Sequence, residues 1–167
     1  MIRVMIVDDD ALIRVTLKSI VNWEKLGYVV VEDSINADQA LAYLKHHSVD
    51  LLITDMQMPG MSGLDLMREL LKQGRLPLTL ALSGYDEFEL VREAFRLGAH
   101  DYLLKSDINV ASMEKMLRSL KENFSQEMKP QGPPVQHKNL ALLPGTYMVS
   151  AFQIQGFSKV AQRFGDN

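Results

Sequence analysis

The chain has 167 residues, of which 47% are apolar and 23% are charged, and this composition is typical of a globular protein of about one domain. It contains no cysteine, which excludes disulfide frameworks and thiolate metal sites and fits a reducing cytoplasm. The net charge is −3 and lysines and arginines form no cluster, so we do not expect this part of the molecule to bind nucleic acid by itself.

The first predicted strand, 2–7, leads into an acidic triplet at position 8, which is too early for the apolar core of a signal peptide. No window reaches the roughly 18 apolar residues of a membrane-spanning helix, so we expect a cytoplasmic protein. Further apolar runs predict strands at 28–32, 50–54, 78–83 and 101–105.

A helix is predicted after each strand from the spacing of apolar residues. The first helix is predicted over 11–21, the second begins at Asn36 and the third spans 63–74. The fourth has Asp86 and Glu89 at capping spacing at its start, and the fifth spans 107–128. Asp10 is the expected N-cap of the first helix, and Ser62 with Asp65 has the spacing of a capping box before the third. The inward face of the first helix is expected to carry Leu12, Ile13, Leu17, Ile20 and Val21.

This (βα)5 alternation predicts an α/β fold. Strands that are apolar throughout are typical of a parallel sheet covered by helices on both faces. Right-handed crossovers then give a doubly wound, flavodoxin-like five-stranded sheet with strand order 2-1-3-4-5. Functional groups in such sheets lie outside the carboxyl ends of the strands.

The domain organisation follows from a change in composition near position 129. Residues 129–138 contain three prolines, which indicates a linker. We therefore expect a first domain over 1–128, a linker over 129–143 and the start of a second, truncated domain over 144–167.

The predicted strand ends place several polar side chains at one edge of the sheet. These are Asp8, Asp9 and Asp10 after the first strand, Asp55 after the third, and Ser83 and Lys105 as the last residues of the fourth and fifth. Carboxylates about 5 Å apart repel each other by roughly 3 kcal/mol per pair, so a proton or a cation must join them. Oxygen ligands in a small acidic pocket suit Mg²⁺. A carboxylate, a divalent ion, an ammonium group and a hydroxyl together suit phosphoryl transfer to an aspartate.

The motifs `IVDDD`, `ITDMQMPGMSG`, `LSGYDEF` and `GAHDYLLK` resemble the receiver domain of two-component response regulators over residues 1 to about 125. The segments `NWEKLGY` and `LSGYDEFELVREAF` also resemble the bacterial regulators that join a receiver to an AraC-type DNA-binding domain. The resemblance implies a phosphoprotein that acts in phosphorelay signal transduction and transcription regulation.

Carried over by motif, the resemblance implies that Asp55 accepts a phosphoryl group from a sensor histidine kinase. Asp9 and Asp55 would bind Mg²⁺ directly, together with the backbone carbonyl of Gln57. Asp8 would reach the ion mainly through a water molecule.

The resemblance also assigns roles to Lys105, Ser83 and Tyr102. Lys105 would supply positive charge, Ser83 would turn toward the phosphoryl oxygens, and Tyr102 would swing inward as the aromatic switch. The domain would label itself once rather than turn over a substrate. It would form a homodimer through the fourth helix, fifth strand and fifth helix, and would reach DNA only through a C-terminal domain absent from this chain.

One departure from the family leaves an alternative open. Proline usually follows the lysine, and here Ser106 does, so the Lys105–Ser106 bond could be cis or trans. A pseudo-receiver that acts as a phosphorylation-independent docking or dimerisation module is therefore the alternative. An aspartate-nucleophile phosphatase using Asp8 and Asp10 is disfavoured by Leu12, where such enzymes need threonine or valine.

Overall fold

The computed structural model describes residues 1–84 and 88–127, and over these ranges it contains the predicted alternation of strands and helices. The strands are β1 (Ile2–Val7), β2 (Tyr28–Ser34), β3 (Leu51–Asp55), β4 (Leu78–Ser83) and β5 (Asp101–Leu104). The helices are α1 (Ala11–Ile20), α2 (Trp23–Leu26), α3 (Ala37–Leu44), α4 (Gly63–Lys72), α5 (Phe88–Arg96) and α6 (Val110–Glu127), with a 3-10 turn, Lys105–Asp107, after β5.

The sheet has the predicted parallel topology, with strand order β2-β1-β3-β4-β5. Its register pairs Val7 with Thr54, and Ser83 with Leu104. Because paired strands end at nearly the same level, the residues that follow them emerge together at one edge of the sheet.

Helices cover both faces of the sheet, which explains why its strands are apolar throughout. On one face, Val4 and Ile6 pack with residues of α1, α2 and α6. On the other face, Met5 and Val7 pack with residues of α3 and α4. The alternation within β1 therefore divides one apolar run between two cores.

The expected inward face of α1 is wrong at one position. Leu17 is fully buried, but Leu12 is 70% exposed. Five residues separate the two positions, which places them roughly 140° apart around the helix axis. Leu12 therefore points to solvent while Leu17 contacts the core.

The short helix α2 was not predicted, because four residues carry no readable periodicity. The Asn22 side chain caps it by accepting from Lys25 N, and Gly27 ends it with a left-handed φ of 89°. Trp23 donates from Nε1 to the carbonyl of Leu17 at 3.1 Å, which fixes α2 against the end of α1.

Several element ends differ from the predicted ones, among them the end of β2 and the start of α6. β2 continues to Ser34, whereas the apolar run had suggested an end at residue 32. α6 begins at Val110 instead of 107, because the Asn109 side chain caps it by accepting from Ser112 N at 3.0 Å.

The predicted linker, 129–143, and the predicted second domain, 144–167, lie outside the described residues, as does the expected cap Asp86. None of the helices in the described part of the chain has the length and apolar run needed to span a bilayer.

Candidate functional site

The carboxyl edge of the sheet brings together the predicted side chains from four different strands. Asp8 follows β1, Asp55 ends β3, Ser83 ends β4 and Lys105 follows β5. The Lys105 ammonium lies 2.9 Å from Asp8 Oδ2 and 2.7 Å from Asp55 Oδ2. Side chains almost a hundred positions apart in the sequence therefore share direct contacts.

Three carboxylates form the centre of this site. Oxygen atoms of Asp8, Asp9 and Asp55 all lie within 4.8 Å of one another. Asp8 is fully buried and Asp55 is 3% exposed, whereas Asp9 is exposed to solvent. Two of the acids are thus fixed in the protein interior, and the third closes the cluster from the solvent side.

Main-chain N–H groups hold the two buried carboxylates in place. Asp10 N donates to Asp8 Oδ1 at 2.8 Å, and Gln57 N donates to Asp55 Oδ1 at 3.1 Å. Asp10 itself is the N-cap of α1, since its side chain accepts from Leu12 N at 2.7 Å. The expected cap is confirmed, and the third acid of the triplet serves α1 instead of the cluster.

The site carries more negative than positive charge. Burial raises the pKa of Asp8 above its ordinary value, and hydrogen bonds and charge from Lys105 only partly offset that effect. Burial alone would lower the pKa of Lys105, but hydrogen bonds to Asp55 and Asp8 raise it. Lys105 is therefore charged at neutral pH, and a second cation would relieve the remaining repulsion.

The Ser83 side chain lies in this same interior. Its hydroxyl oxygen is fully buried and has no hydrogen-bond partner among the residues that the structure describes. An unsatisfied buried hydroxyl costs roughly 1–3 kcal/mol. Such a group is available to an oxygen atom that enters the site from outside.

Two glycines shape the chain between β3 and the first turn of α4. Gly60 has a left-handed φ of +80°. Gly63 lies so close to the main chain of Asp55 that a Cβ there would be 1.9 Å from its carbonyl oxygen. The first turn of α4 can therefore pack against the end of β3 only because residue 63 has no side chain.

Comparison with known proteins agrees with this geometry. The family model described as the response regulator receiver domain matches residues 4–118. The chain belongs to this family. The resemblance of the motifs to receiver domains is thus confirmed, and the strand order confirms the predicted doubly wound fold.

Two transcriptional regulators illustrate how far the similarity extends. The uncharacterized transcriptional regulatory protein YesN of Bacillus subtilis is 32% identical over 132 residues, which are 77% of this chain and 36% of YesN. The transcriptional regulatory protein HptR of Staphylococcus aureus is 31% identical over 138 residues, which are 80% of this chain and 53% of HptR. The receiver chain thus spans between about a third and about half of the length of these relatives.

Solved receiver domains have the same fold. The REC domain of AraT, a response regulator from Geobacillus stearothermophilus, has 34% identity and a TM-score of 0.69, covering 76% of this chain and 98% of that one. The receiver domain of the putative response regulator NarL from Mycobacterium tuberculosis has 27% identity and a TM-score of 0.63, covering 72% and 96%.

The acidic pocket of this receiver domain suits Mg²⁺ because its donor atoms are carboxylate oxygens. Asp8, Asp9 and Asp55 present carboxylate oxygens close enough to share one small ion, and hard oxygen donors are what Mg²⁺ prefers. The single ammonium of Lys105 leaves part of their charge uncompensated. The carbonyl of Gln57 stays a predicted ligand.

The Lys105–Ser106 bond and Tyr102 have defined geometry in this structure. The Lys105–Ser106 peptide bond is trans, and the lysine nevertheless reaches both buried acids. Tyr102 is half-buried and meets the Phe95 ring edge to face, with centroids 6.1 Å apart. Its expected inward movement stays a prediction.

Sequence reasoning missed Arg14, which donates to the main-chain carbonyls of Asp8 and Asp9. One signal could have found it. Arg14 is the fourth residue of α1, close to the positive end of the helix dipole, where a cation is unfavourable unless a local contact compensates.

Proposed function

We propose that this receiver domain accepts a phosphoryl group on Asp55 from the phosphohistidine of a sensor histidine kinase. The observation that carries the proposal is the buried Asp55 carboxylate, which lies 2.7 Å from the Lys105 ammonium and within one cluster with Asp8 and Asp9. Response regulators are in general phosphorylated by such kinases, and membership of the family supports the assignment.

In the proposed transfer, an oxygen of Asp55 forms a bond to phosphorus while the bond from phosphorus to the histidine nitrogen breaks and that nitrogen keeps the electron pair. Lys105 holds the attacking carboxylate by a hydrogen bond and supplies positive charge for the incoming oxygens. The Ser83 hydroxyl can donate to one of those oxygens. Mg²⁺ bound by the acids would offset the negative charge that gathers as the phosphoryl group arrives.

Phosphorylation would convert this site from a carboxylate to a group with about −1.5 to −2 charges. We expect Ser83 and Tyr102 to respond and to change the surface formed by α5, β5 and α6, through which two receivers would pair. A C-terminal AraC-type domain outside this chain would then bind DNA. The names of YesN and HptR, both transcriptional regulatory proteins, support a transcriptional output.

Intact-mass measurement with acetyl phosphate and Mg²⁺ tests the proposal. The wild-type chain should gain one phosphoryl group, Asp55→Asn should gain none, and Asp38→Asn should behave like wild type because Asp38 is an exposed residue of α3. Undiminished labelling of Asp55→Asn would show that another residue is the acceptor. Measuring the molecular mass of the same labelled sample in solution tests the proposed pairing of two receivers, for which we expect a dimer.

The alternative, a pseudo-receiver without phosphorylation, was motivated by Ser106. That residue is compatible with a lysine placed 2.7 Å from Asp55 through a trans peptide bond, so the departure removes no contact on which the phosphoacceptor proposal depends. A wild-type chain that gains no mass with acetyl phosphate and Mg²⁺ would favour the pseudo-receiver.

A further inference from the structure

Arg14 is a largely buried cation directly behind the acidic cluster. Its side chain is 12% exposed, although arginine on a helix normally extends into solvent. One guanidinium nitrogen, Nη1, donates to the carbonyl oxygen of Asp8 at 2.7 Å and to that of Asp9 at 3.2 Å. Arg14 thus contacts the main chain of both acids that follow β1 and leaves their carboxylates to the pocket.

The other side of the same guanidinium group faces the end of β2. Arg14 Nε lies 3.4 Å from Asp33 Oδ2, and Lys18 Nζ donates to Asp33 Oδ1 at 2.9 Å. The main chain adds a further link, since Asp8 N donates to the carbonyl of Ser34 at 3.2 Å. The segment that carries the acids is therefore connected to α1 and to β2 through one planar side chain.

We infer that Arg14 is a positioning residue for the acidic pocket, which holds the main chain of Asp8 and Asp9 so that their carboxylates converge with Asp55 on one cation. The inference rests on the proposed function, because it concerns the same Mg²⁺ site. Arginine suits this role because its rigid fork can contact the carbonyls and Asp33 together. Groups that orient metal ligands typically change metal affinity about 10- to 100-fold when they are removed.

The direction of the change in Mg²⁺ affinity distinguishes positioning from simple charge. If Arg14 acted only as a nearby positive charge, its removal would lessen repulsion and make Mg²⁺ bind more tightly. If Arg14 holds the ligands in place, its removal makes Mg²⁺ bind more weakly. The two explanations therefore predict opposite signs for the same substitution.

Calorimetric titration of the full chain with Mg²⁺ alone, without phosphodonor, makes the measurement. We expect Arg14→Met to weaken binding by about 10-fold. Arg14→Lys should also weaken it, although the charge is kept, because a single ammonium cannot bridge both carbonyls and Asp33. Lys18→Met is the matched control: it removes a cation that also pairs with Asp33 but contacts neither carbonyl, and it should bind Mg²⁺ as well as wild type or slightly better.

The results of the Mg²⁺ titration can contradict the positioning role of Arg14 without contradicting the proposed function. Wild-type binding of Mg²⁺ together with unchanged or tighter binding by Arg14→Met overturns the positioning role and leaves the proposed site intact. A wild-type chain that binds no Mg²⁺ overturns both. If Arg14→Met does not fold, Arg14→Lys carries the test, since weaker binding with retained charge is expected only from lost positioning.

Discussion

Asp8 shows how a single residue of the acidic pocket lowers the stability of the folded protein. It is fully buried, close to two other carboxylates, and burial holds its pKa above the ordinary value of 3.8. The folded state therefore binds a proton more readily than the unfolded state does. As pH rises from about 3.8 through the raised pKa, the folded protein loses stability, and the loss persists at neutral pH.

Asp8→Asn should therefore raise the free energy of unfolding at neutral pH in the absence of Mg²⁺. We expect a gain of roughly 1–3 kcal/mol, because the substitution removes a buried charge, and with it the repulsion from Asp55, while the amide oxygen can still accept from Asp10 N. Urea denaturation followed by Trp23 fluorescence measures it, since Trp23 is the single tryptophan and is buried.

Two comparisons check this explanation for Asp8. Asp38→Asn, at an exposed position, should change the free energy of unfolding by less than about 1 kcal/mol. Saturating Mg²⁺ should reduce or reverse the advantage of Asp8→Asn, because the ion stabilises a cluster of three carboxylates more than a cluster of two. A loss of stability in Asp8→Asn without Mg²⁺ would mean that its ion pair with Lys105 outweighs the repulsion.

The start of α4 packs against the end of β3, and this packing depends on the absence of a side chain at residue 63. In Gly63→Ala the new Cβ would lie 1.9 Å from the Asp55 carbonyl oxygen and 3.0 Å from Met56 Cε, so the main chain must move. We expect a loss of about 3 kcal/mol in the free energy of unfolding, with weaker Mg²⁺ binding because the displaced carbonyl belongs to Asp55.

Gly60→Ala is the matched control in the same loop. Its φ is +80°, but no atom lies within 4 Å of the position that a Cβ would occupy. Only backbone strain is added there, so the expected loss is about 1 kcal/mol, without an effect on Mg²⁺ binding. Equal losses of unfolding free energy in the two variants would mean that α4 can move away from β3 at little cost in free energy.

The sequence was most informative about the whole sheet and least informative about packing against it. Apolar runs located all five strands, and the parallel topology then placed Asp8, Asp55, Ser83 and Lys105 at one edge without knowledge of any contact. The contacts of Arg14 and the outward direction of Leu12 depend on how α1 is rotated against the sheet, which a short apolar pattern specifies only roughly. The helix α2 depends on the Trp23 contact with Leu17, a tertiary interaction that no local pattern reveals.

A contact that joins distant parts of the molecule gives a prediction about alkaline stability. The Tyr28 hydroxyl, at the start of β2, donates to the carbonyl of Leu117 in α6 at 2.6 Å. Burial raises the pKa of Tyr28 from 10.0 to about 12. Between these values the unfolded chain loses the phenolic proton while the folded chain keeps it, so folding stability falls as pH rises through this window.

Tyr28→Phe should lack this dependence on pH. At neutral pH the variant should be less stable than wild type by about 1–2 kcal/mol, because the carbonyl of Leu117 loses its donor. Above pH 10 the wild type should lose about 1.4 kcal/mol per pH unit relative to Tyr28→Phe, so that the difference passes through zero and changes sign before the folded protein also ionises near 12. Urea denaturation of both proteins across this range, followed by circular dichroism, makes the comparison. A constant difference between the two proteins at every pH would show that the Tyr28 hydroxyl ionises equally easily in the folded and unfolded chains, and that the contact between β2 and α6 is open to solvent.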